Sequence, residues 1–351
     1  MIMWLDALTP KQAQLMMAVK AELEEEGWKA IITTRRHDYT LDIFKLKGEE
    51  PIVVGEYGGE RLEGKLEASL KRSLKLLEAI AALPEKPKLH ISLSSPEAVR
   101  VAFGLKIPII LFNDTPHSIF VNRLTLPLAV KVVVPEAIPK RAFSYAVPES
   151  RIAHYHGVDE VAWIRNFKPN PAVLDELGLS MDDDIVVIRS EEAKASYYPK
   201  LKVPPTIKLI GELIKLEDVK IVYFTRYWDQ RRAALKMFPN LIIPERAVDA
   251  PSLIAYSKLV VTGGGTMARE GALLGVPSIS VFPAMLHVNE WLRDKGYPIW
   301  WLRRVDEAID QALRILRNPD KFRIDTRKML LELESPAEAL IRVLEEVKVL
   351  G

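Results

Sequence analysis

Short, mostly apolar runs alternate along the chain with longer stretches in which apolar residues recur every three or four positions. In the first half the runs at 2–5, 30–34, 51–54, 89–93, 107–112 and 130–134 have the length and composition of strands. The stretches between them read as helices. Thr9 with Pro10 opens one that stops at Gly27, a short one covers 41–47 ahead of Gly48, and a long amphipathic one covers 62–83 with leucines at three- and four-residue spacing. Ser95-Pro96 starts another that ends at Gly104. The second half repeats the scheme, with runs at 185–188, 221–224, 241–243, 259–261, 278–282 and 299–302. Strands that are apolar throughout, rather than alternating, are buried on both faces, which predicts parallel sheets covered by helices on each side. Two prolines in Lys168-Pro169-Asn170-Pro171 mark a semi-rigid linker. The expectation is an α/β chain of two doubly wound, Rossmann-like domains, residues 1–167 and 168–334. A final helix over 335–351 follows, opened by the capping box Ser335-Pro336-Ala337-Glu338.

The stretch from Leu259 to Pro277 carries the strongest signal. It reads as strand, three glycines (Gly263, Gly264, Gly265), a helix from Thr266, a stop at Gly275 and the start of another strand. Glycines let a backbone approach a ligand without Cβ obstruction, and the free N–H groups and positive dipole end of the helix suit a phosphate. Glu270, one turn in, is placed to accept hydrogen bonds from ribose hydroxyls. The turn is neither G-x-G-x-x-G nor a Walker A loop.

With Thr262, Gly264, Gly265, Thr266, Glu270 and Gly275-Val276-Pro277, the segment resembles the nucleotide-sugar site of GT-B glycosyltransferases and of the hydrolysing UDP-N-acetylglucosamine 2-epimerases. Gly263 stands where those epimerases usually have Asp, and Arg269 where they often have Glu. Four pieces together resemble the family called domain of unknown function 354: Leu5-Asp6, Thr9-Pro10-Lys11, Asp114 to His117, and Gly264 to Glu270. These resemblances imply a GT-B-like fold whose two domains face a central cleft. The first domain would serve acceptor or sugar and the second the nucleotide, and the last helix would return to the first domain. The activity implied is glycosyl transfer or 2-epimerisation of a nucleotide sugar, UDP-sugar being the expected ligand, with no cofactor. The alternative is a non-catalytic nucleotide-sugar binding protein on the same fold.

Ligands of doubly wound sheets bind beyond the carboxyl ends of the strands, so the residues following each strand are the candidates for chemistry. After the fifth strand, Asn113-Asp114-Thr115-Pro116-His117-Ser118 crowds an Asp and a His together. An Asp beside a His fixes its tautomer and raises its basicity, which makes Asp114 and His117 the catalytic candidates; the same residues also build turns. In the second half Arg189, Arg226 and Asp249 join Gly263, Gly264, Gly265, Thr266, Arg269 and Glu270 as the expected nucleotide-sugar binding set, the arginines clamping a diphosphate. Tyr197-Tyr198 is placed to stack on a base or sugar. His154 and His156 lack a third ligand, and Asp182-Asp183-Asp184 reads as a solvated turn, so no metal is expected.

Composition narrows the class. Net charge is +2, with 49 basic residues against 47 acidic, which is no footprint for nucleic acid. Absence of cysteine excludes disulfides and thiolate chemistry. No run of ~18 apolar residues exists to span a membrane. Residues 1–10 lack the basic-then-apolar pattern of a signal peptide, so a cytoplasmic protein is expected, with a homodimer allowed. A charged content of 27% with 24 prolines points toward a thermophile.

Overall fold

The computed structural model describes residues 1–192 and 203–347. Two units emerge, one comprising Met1–Trp163 with the segment from Leu333 onward, the other Ile164–Glu332. The first unit runs β1 (Ile2–Ala7), α1 (Pro10–Glu25), β2 (Lys29–Arg36), α2 (Thr40–Leu46), β3 (Ile52–Glu56), α3 (Leu62–Ala81), β4 (Leu89–Ser92) and α4 (Pro96–Gly104). It continues through β5 (Ile109–Phe112), α5 (Ile119–Thr125), β6 (Lys131–Pro135) and β7 (Ile152–Tyr155). Its sheet is parallel throughout, in the order β3-β2-β1-β4-β5-β6-β7.

The alternation along β1 sorts the helices onto the two faces. Met3, Leu5 and Ala7 join a core with Ala13, Leu15, Met16 and Val19 of α1 and Phe44 of α2. Trp4 and Asp6 point the other way, where Arg72 of α3 reaches Asp6. That second face carries an unusual amount of polar matter. Trp4 Nε1 donates to Thr33 Oγ1 at 2.8 Å, Thr33 Oγ1 donates to Asp6 Oδ1 at 2.5 Å, and Arg72 Nη2 donates to the same oxygen at 2.6 Å. Burial pushes the Asp6 carboxyl up, but the Arg72 charge and the bonds from Arg72 and Thr33 outweigh it and hold the pKa below the usual range. His90 is fully buried beside Trp4, and loss of water drives its pKa down to about 4.

The leucines of α3 do not all serve the core. Arg72, Leu76 and Ile80 face inward, while Leu62, Leu66, Leu70 and Leu74, four residues apart, are each 60% exposed or more.

The border between the units falls in α6 (Val161–Ile164), and the second unit contains α7 (Ala172–Glu176), β8 (Asp184–Arg189), α8 (Pro205–Leu213), β9 (Val219–Phe224), α9 (Trp228–Met237) and α10 (Ala250–Tyr256). Then follow β10 (Leu259–Thr262), α11 (Thr266–Leu273), β11 (Ser278–Ser280), α12 (His287–Asp294), β12 (Ile299–Trp301), α13 (Val305–Arg317), α14 (Pro319–Phe322) and α15 (Arg327–Leu331). Its parallel sheet is ordered β12-β11-β10-β8-β9. The chain ends its described part in α16 (Pro336–Val347), which belongs to the first unit: Ala337, Ala339, Leu340, Val343 and Leu344 enter the core that holds α1 and α2. The capping box forms as a pair, with Ser335 N donating to Glu338 Oε2 at 2.7 Å and Ala337 N to Ser335 Oγ at 3.2 Å.

Two elements differ from the sequence reading. A seventh strand, β7, completes the first sheet, although its four residues include His154 and Tyr155. Its apolar contacts come from α16, some 180 residues later, so no local pattern announces it. Conversely, the run 241–243 makes no strand and only a bridge between Ile242 and Val222, because Pro239 and Pro244 leave too few N–H groups for a ladder.

Candidate functional site

In the first unit the loop after β5 is fixed from within. Asn113 Oδ1 accepts from Thr115 N at 2.9 Å, and Asn113 Nδ2 donates to Ser94 Oγ at 2.9 Å and to Asn122 Oδ1 at 2.8 Å. Asn122 Nδ2 in turn donates to Tyr145 Oη at 2.7 Å, whose hydroxyl donates to Pro116 O at 2.7 Å. With its neighbours holding the loop, Asp114 is directed to Lys11, on the first turn of α1: Nζ stands 2.5 Å from Asp114 Oδ2. The same Nζ lies 2.7 Å from Asp159 Oδ2 and 3.9 Å from Glu160 Oε1. Tyr155 Oη donates to Asp159 Oδ1 at 2.7 Å. Three carboxylates, two of them fully buried, thus converge on one ammonium. Burial raises the Asp159 pKa, Lys11 opposes it, and the neighbouring charges of Asp114 and Glu160 reinforce it, so this carboxyl keeps a proton to higher pH than a free aspartate. His117 lies in the turn just before α5, half-buried. His154 Nε2 faces Ile138 O at 2.9 Å and His156 Nδ1 faces Glu136 Oε1 at 2.6 Å. Among the described residues no group of three or more His, Asp or Glu is arranged to hold a metal ion.

In the second unit the glycine turn joins β10 to α11 as the sequence suggested. A Cβ on Gly263 would stand 2.5 to 2.8 Å from Glu191 Cγ, Cα and N, so the chain passes the end of β8 with no room for a side chain. A Cβ on Gly264 would meet nothing nearer than Thr262 Oγ1 at 3.7 Å and Arg226 Nη2 at 3.8 Å. Gly264 N donates to Thr262 Oγ1 at 3.0 Å and its carbonyl accepts from Ser280 Oγ at 2.6 Å, which pins the turn. Past it, the N–H groups of Gly265, Thr266 and Met267 open the helix and have no acceptor within it. Gly275, at φ 76°, ends α11; a Cβ there would run into Ile324 O.

The polar candidates separate by role. Arg226 is held beside the turn by Ser190 O, 3.3 Å from Nε, and by Glu192, 3.4 Å from Nη1. Arg189 is buried, with Nη1 3.4 Å from Thr225 O. Arg269 is buried as well and reaches Asn289 Oδ1 at 3.4 Å, and Glu270 is buried on the same helix. Asp249 caps α10, accepting from Ser252 Oγ at 2.6 Å and Ser252 N at 3.4 Å. Tyr197 and Tyr198 lie outside the described residues. Glu191 is a buried carboxylate the sequence reading passed over; it accepts from Thr206 N and Oγ1, and burial raises its pKa despite them. Lys11 enters the sequence reading only as part of the Thr9-Pro10-Lys11 motif, and neither it nor Asp159 nor Glu160 was assigned to a site. The signals were a lysine in the first helical turn, where the dipole disfavours a cation, and an Asp-Glu doublet that reads locally as solvated.

Comparison with known proteins adds the following. A family profile described as "Protein of unknown function (DUF354)" matches residues 1–348. An uncharacterized protein of Methanocaldococcus jannaschii is 29% identical over 343 residues, 96% of each chain. Among solved structures, UDP-GlcNAc 2-epimerase of the same organism, in complex with UDP-GlcNAc and UDP, superposes with a TM-score of 0.71 at 17% identity, covering 99% of this chain and 100% of that one. HepE of Anabaena, in complex with UDP and glucose, gives 0.65 at 14% identity, covering 99% of each chain. At such identity the likeness is one of fold, and that fold is the GT-B-like α/β architecture that the resemblances implied.

Proposed function

The chain belongs to the DUF354 family of proteins of unknown function, and we propose that this member is an enzyme acting on a nucleoside-diphosphate sugar, with UDP-sugar the first choice. The observation that carries the reading is local to the second unit. An arginine, Arg226, stands against a glycine turn whose Gly264 position is open, at the start of a helix with unpaired N–H groups. Backbone donors, a helix dipole and a guanidinium fork at one point are the chemistry that holds a diphosphate. Support comes from the ligands of the structures that share the fold, UDP-GlcNAc, UDP and glucose. Catalysis rather than binding alone is favoured by the first unit. Gathering three carboxylates, two of them fully buried, on one lysine costs stability, and carboxyls perturbed in this way suit proton transfer. In this reading Asp114 removes a proton from the reacting hydroxyl or carbon, Lys11 stabilises the charge, and Asp159 is the carboxyl that carries the proton. Glycosyl transfer and epimerisation at the sugar both fit that division.

Calorimetry with UDP tests the nucleotide half. Arg226→Gln and Gly264→Val should each weaken binding at least tenfold with the fold intact, and unchanged affinity would sink the site. A panel of UDP- and GDP-sugars, with and without acceptor alcohols, tests turnover. Lys11→Met and Asp114→Asn should abolish any activity found while leaving UDP affinity within about threefold. Tight binding with no turnover across the panel would instead favour a binding protein.

A further inference from the structure

Arg35 is the penultimate residue of β2, at the strand's carboxyl end. Arg35 is half-buried, yet it makes no hydrogen bond and no ion pair among the described residues, and its Nε is buried without an acceptor. A guanidinium drawn partly out of water is ordinarily paired, and one whose buried Nε has no acceptor marks a partner yet to arrive. The two carboxylates nearby, Asp6 and Glu97, pair with Arg72 and not with Arg35. Asp6 takes Arg72 Nη2 at 2.6 Å, and Glu97 lies 3.5 Å from Arg72 Nη1. Burial, opposed by Glu97 and reinforced by Arg72, holds the Arg35 pKa below the usual guanidinium range.

What does face Arg35 is aromatic. Its Cζ lies 5.8 Å from the centroid of the Tyr57 ring, and that ring stacks on His37 at 4.5 Å with 23° between planes. The loop that bears Tyr57 is anchored: Gly58 lies so close to the first turn of α3 that a Cβ would come within 2.3 Å of Gly64 O. The guanidinium thus has a rigid wall and open donors, at the end of a doubly wound sheet where ligands bind.

We propose that Arg35, walled by Tyr57, which His37 backs by stacking, is the receiving group of an oxyanion site at the carboxyl ends of β2 and β3, taking the phosphate or carboxylate of a small polar ligand. A planar fork of donors matches both anions bidentately, and a wall made of rings leaves the fork as the recognising group. The site lies wholly in the first unit and stands whether or not nucleotide binds the glycine turn of the second.

Three probes that share one ring separate the sources: glucose 1-phosphate, glucuronate and neutral glucose. In thermal unfolding and calorimetry of the full chain, glucose 1-phosphate or glucuronate should stabilise the wild type and glucose should not; which anion acts identifies the class. Arg35→Met should lose that response, keep its UDP affinity within about twofold, and melt without ligand no lower than the wild type, because an unpaired cation has been removed. Should Arg35→Met not fold, Arg35→Lys, which keeps the charge and loses the fork, should bind the anion at least tenfold more weakly. A wild type indifferent to both anions, or an Arg35 variant that keeps the full response, would overturn the proposal.

Discussion

Gly263 and Gly264 are adjacent glycines with opposite reasons for being glycine, and a pair of substitutions separates them. Alanine at Gly263 would press its Cβ into Glu191 backbone and side chain, so Gly263→Ala should cost roughly 1 to 3 kcal/mol, the usual range for overpacking. Gly264→Ala finds nothing within 3.7 Å and should leave stability within about 0.5 kcal/mol. Thermal unfolding of the two variants checks both numbers. The sequence shows three equal glycines; only the passage of β10 beside the end of β8 makes them unequal. His90 carries a second prediction. Its folded pKa of about 4 lies below the ordinary 6.5, so the unfolded chain takes up the proton first as pH falls. Its contribution is therefore complete above pH 6.5 and is lost between 6.5 and 4, amounting to about 3 kcal/mol for a shift of that size. Urea unfolding at pH 7, 5.5 and 4.5 should show wild type losing more stability than His90→Gln across that window. Equal losses would mean that the imidazole takes its proton in the folded state.

Among the elements, α3 shows what periodicity can and cannot tell. Its leucine spacing made it a helix, correctly, but the heptad-like row Leu62, Leu66, Leu70 and Leu74 faces out and Arg72 faces in. Leu76→Ala should cost about 2 to 5 kcal/mol, as for a filled core position, while Leu66→Gln should cost under ~0.5 kcal/mol. Chemical denaturation decides this, and a large loss at Leu66 would mean that the exposed row is covered in solution. The inward arginine is intelligible only with the tertiary structure, since its partners Asp6, Glu97 and Val54 O lie on three other elements. The caps were legible in advance because their partners are within three residues: Thr9 on Gln12, and Ser335 with Glu338. The short strand β7 was not, because the helix that covers it comes from the far end of the chain.

At the scale of the whole molecule, α16 leaves the second unit and completes the core of the first. A chain ended before Ser335 should therefore unfold its first unit at lower temperature and leave the second unit's transition in place. Calorimetry would resolve the two, and a uniform shift of both would argue that the units do not unfold separately. What the amino-acid sequence determined by itself is the repeated strand-helix order, the parallel character of both sheets, the caps, and the glycine turn at the start of α11. All of these rest on periodicity, backbone freedom and contacts a few residues long. Tertiary structure alone decided that Lys11 meets Asp114, Asp159 and Glu160 across some 100 to 150 residues, and that Arg35 stays without an ion pair while Arg72 reaches Asp6 and Glu97. Charge at a buried site is a property of what the fold brings alongside it. No residue's type, nor its neighbours along the chain, states which opposite charge will arrive from another strand.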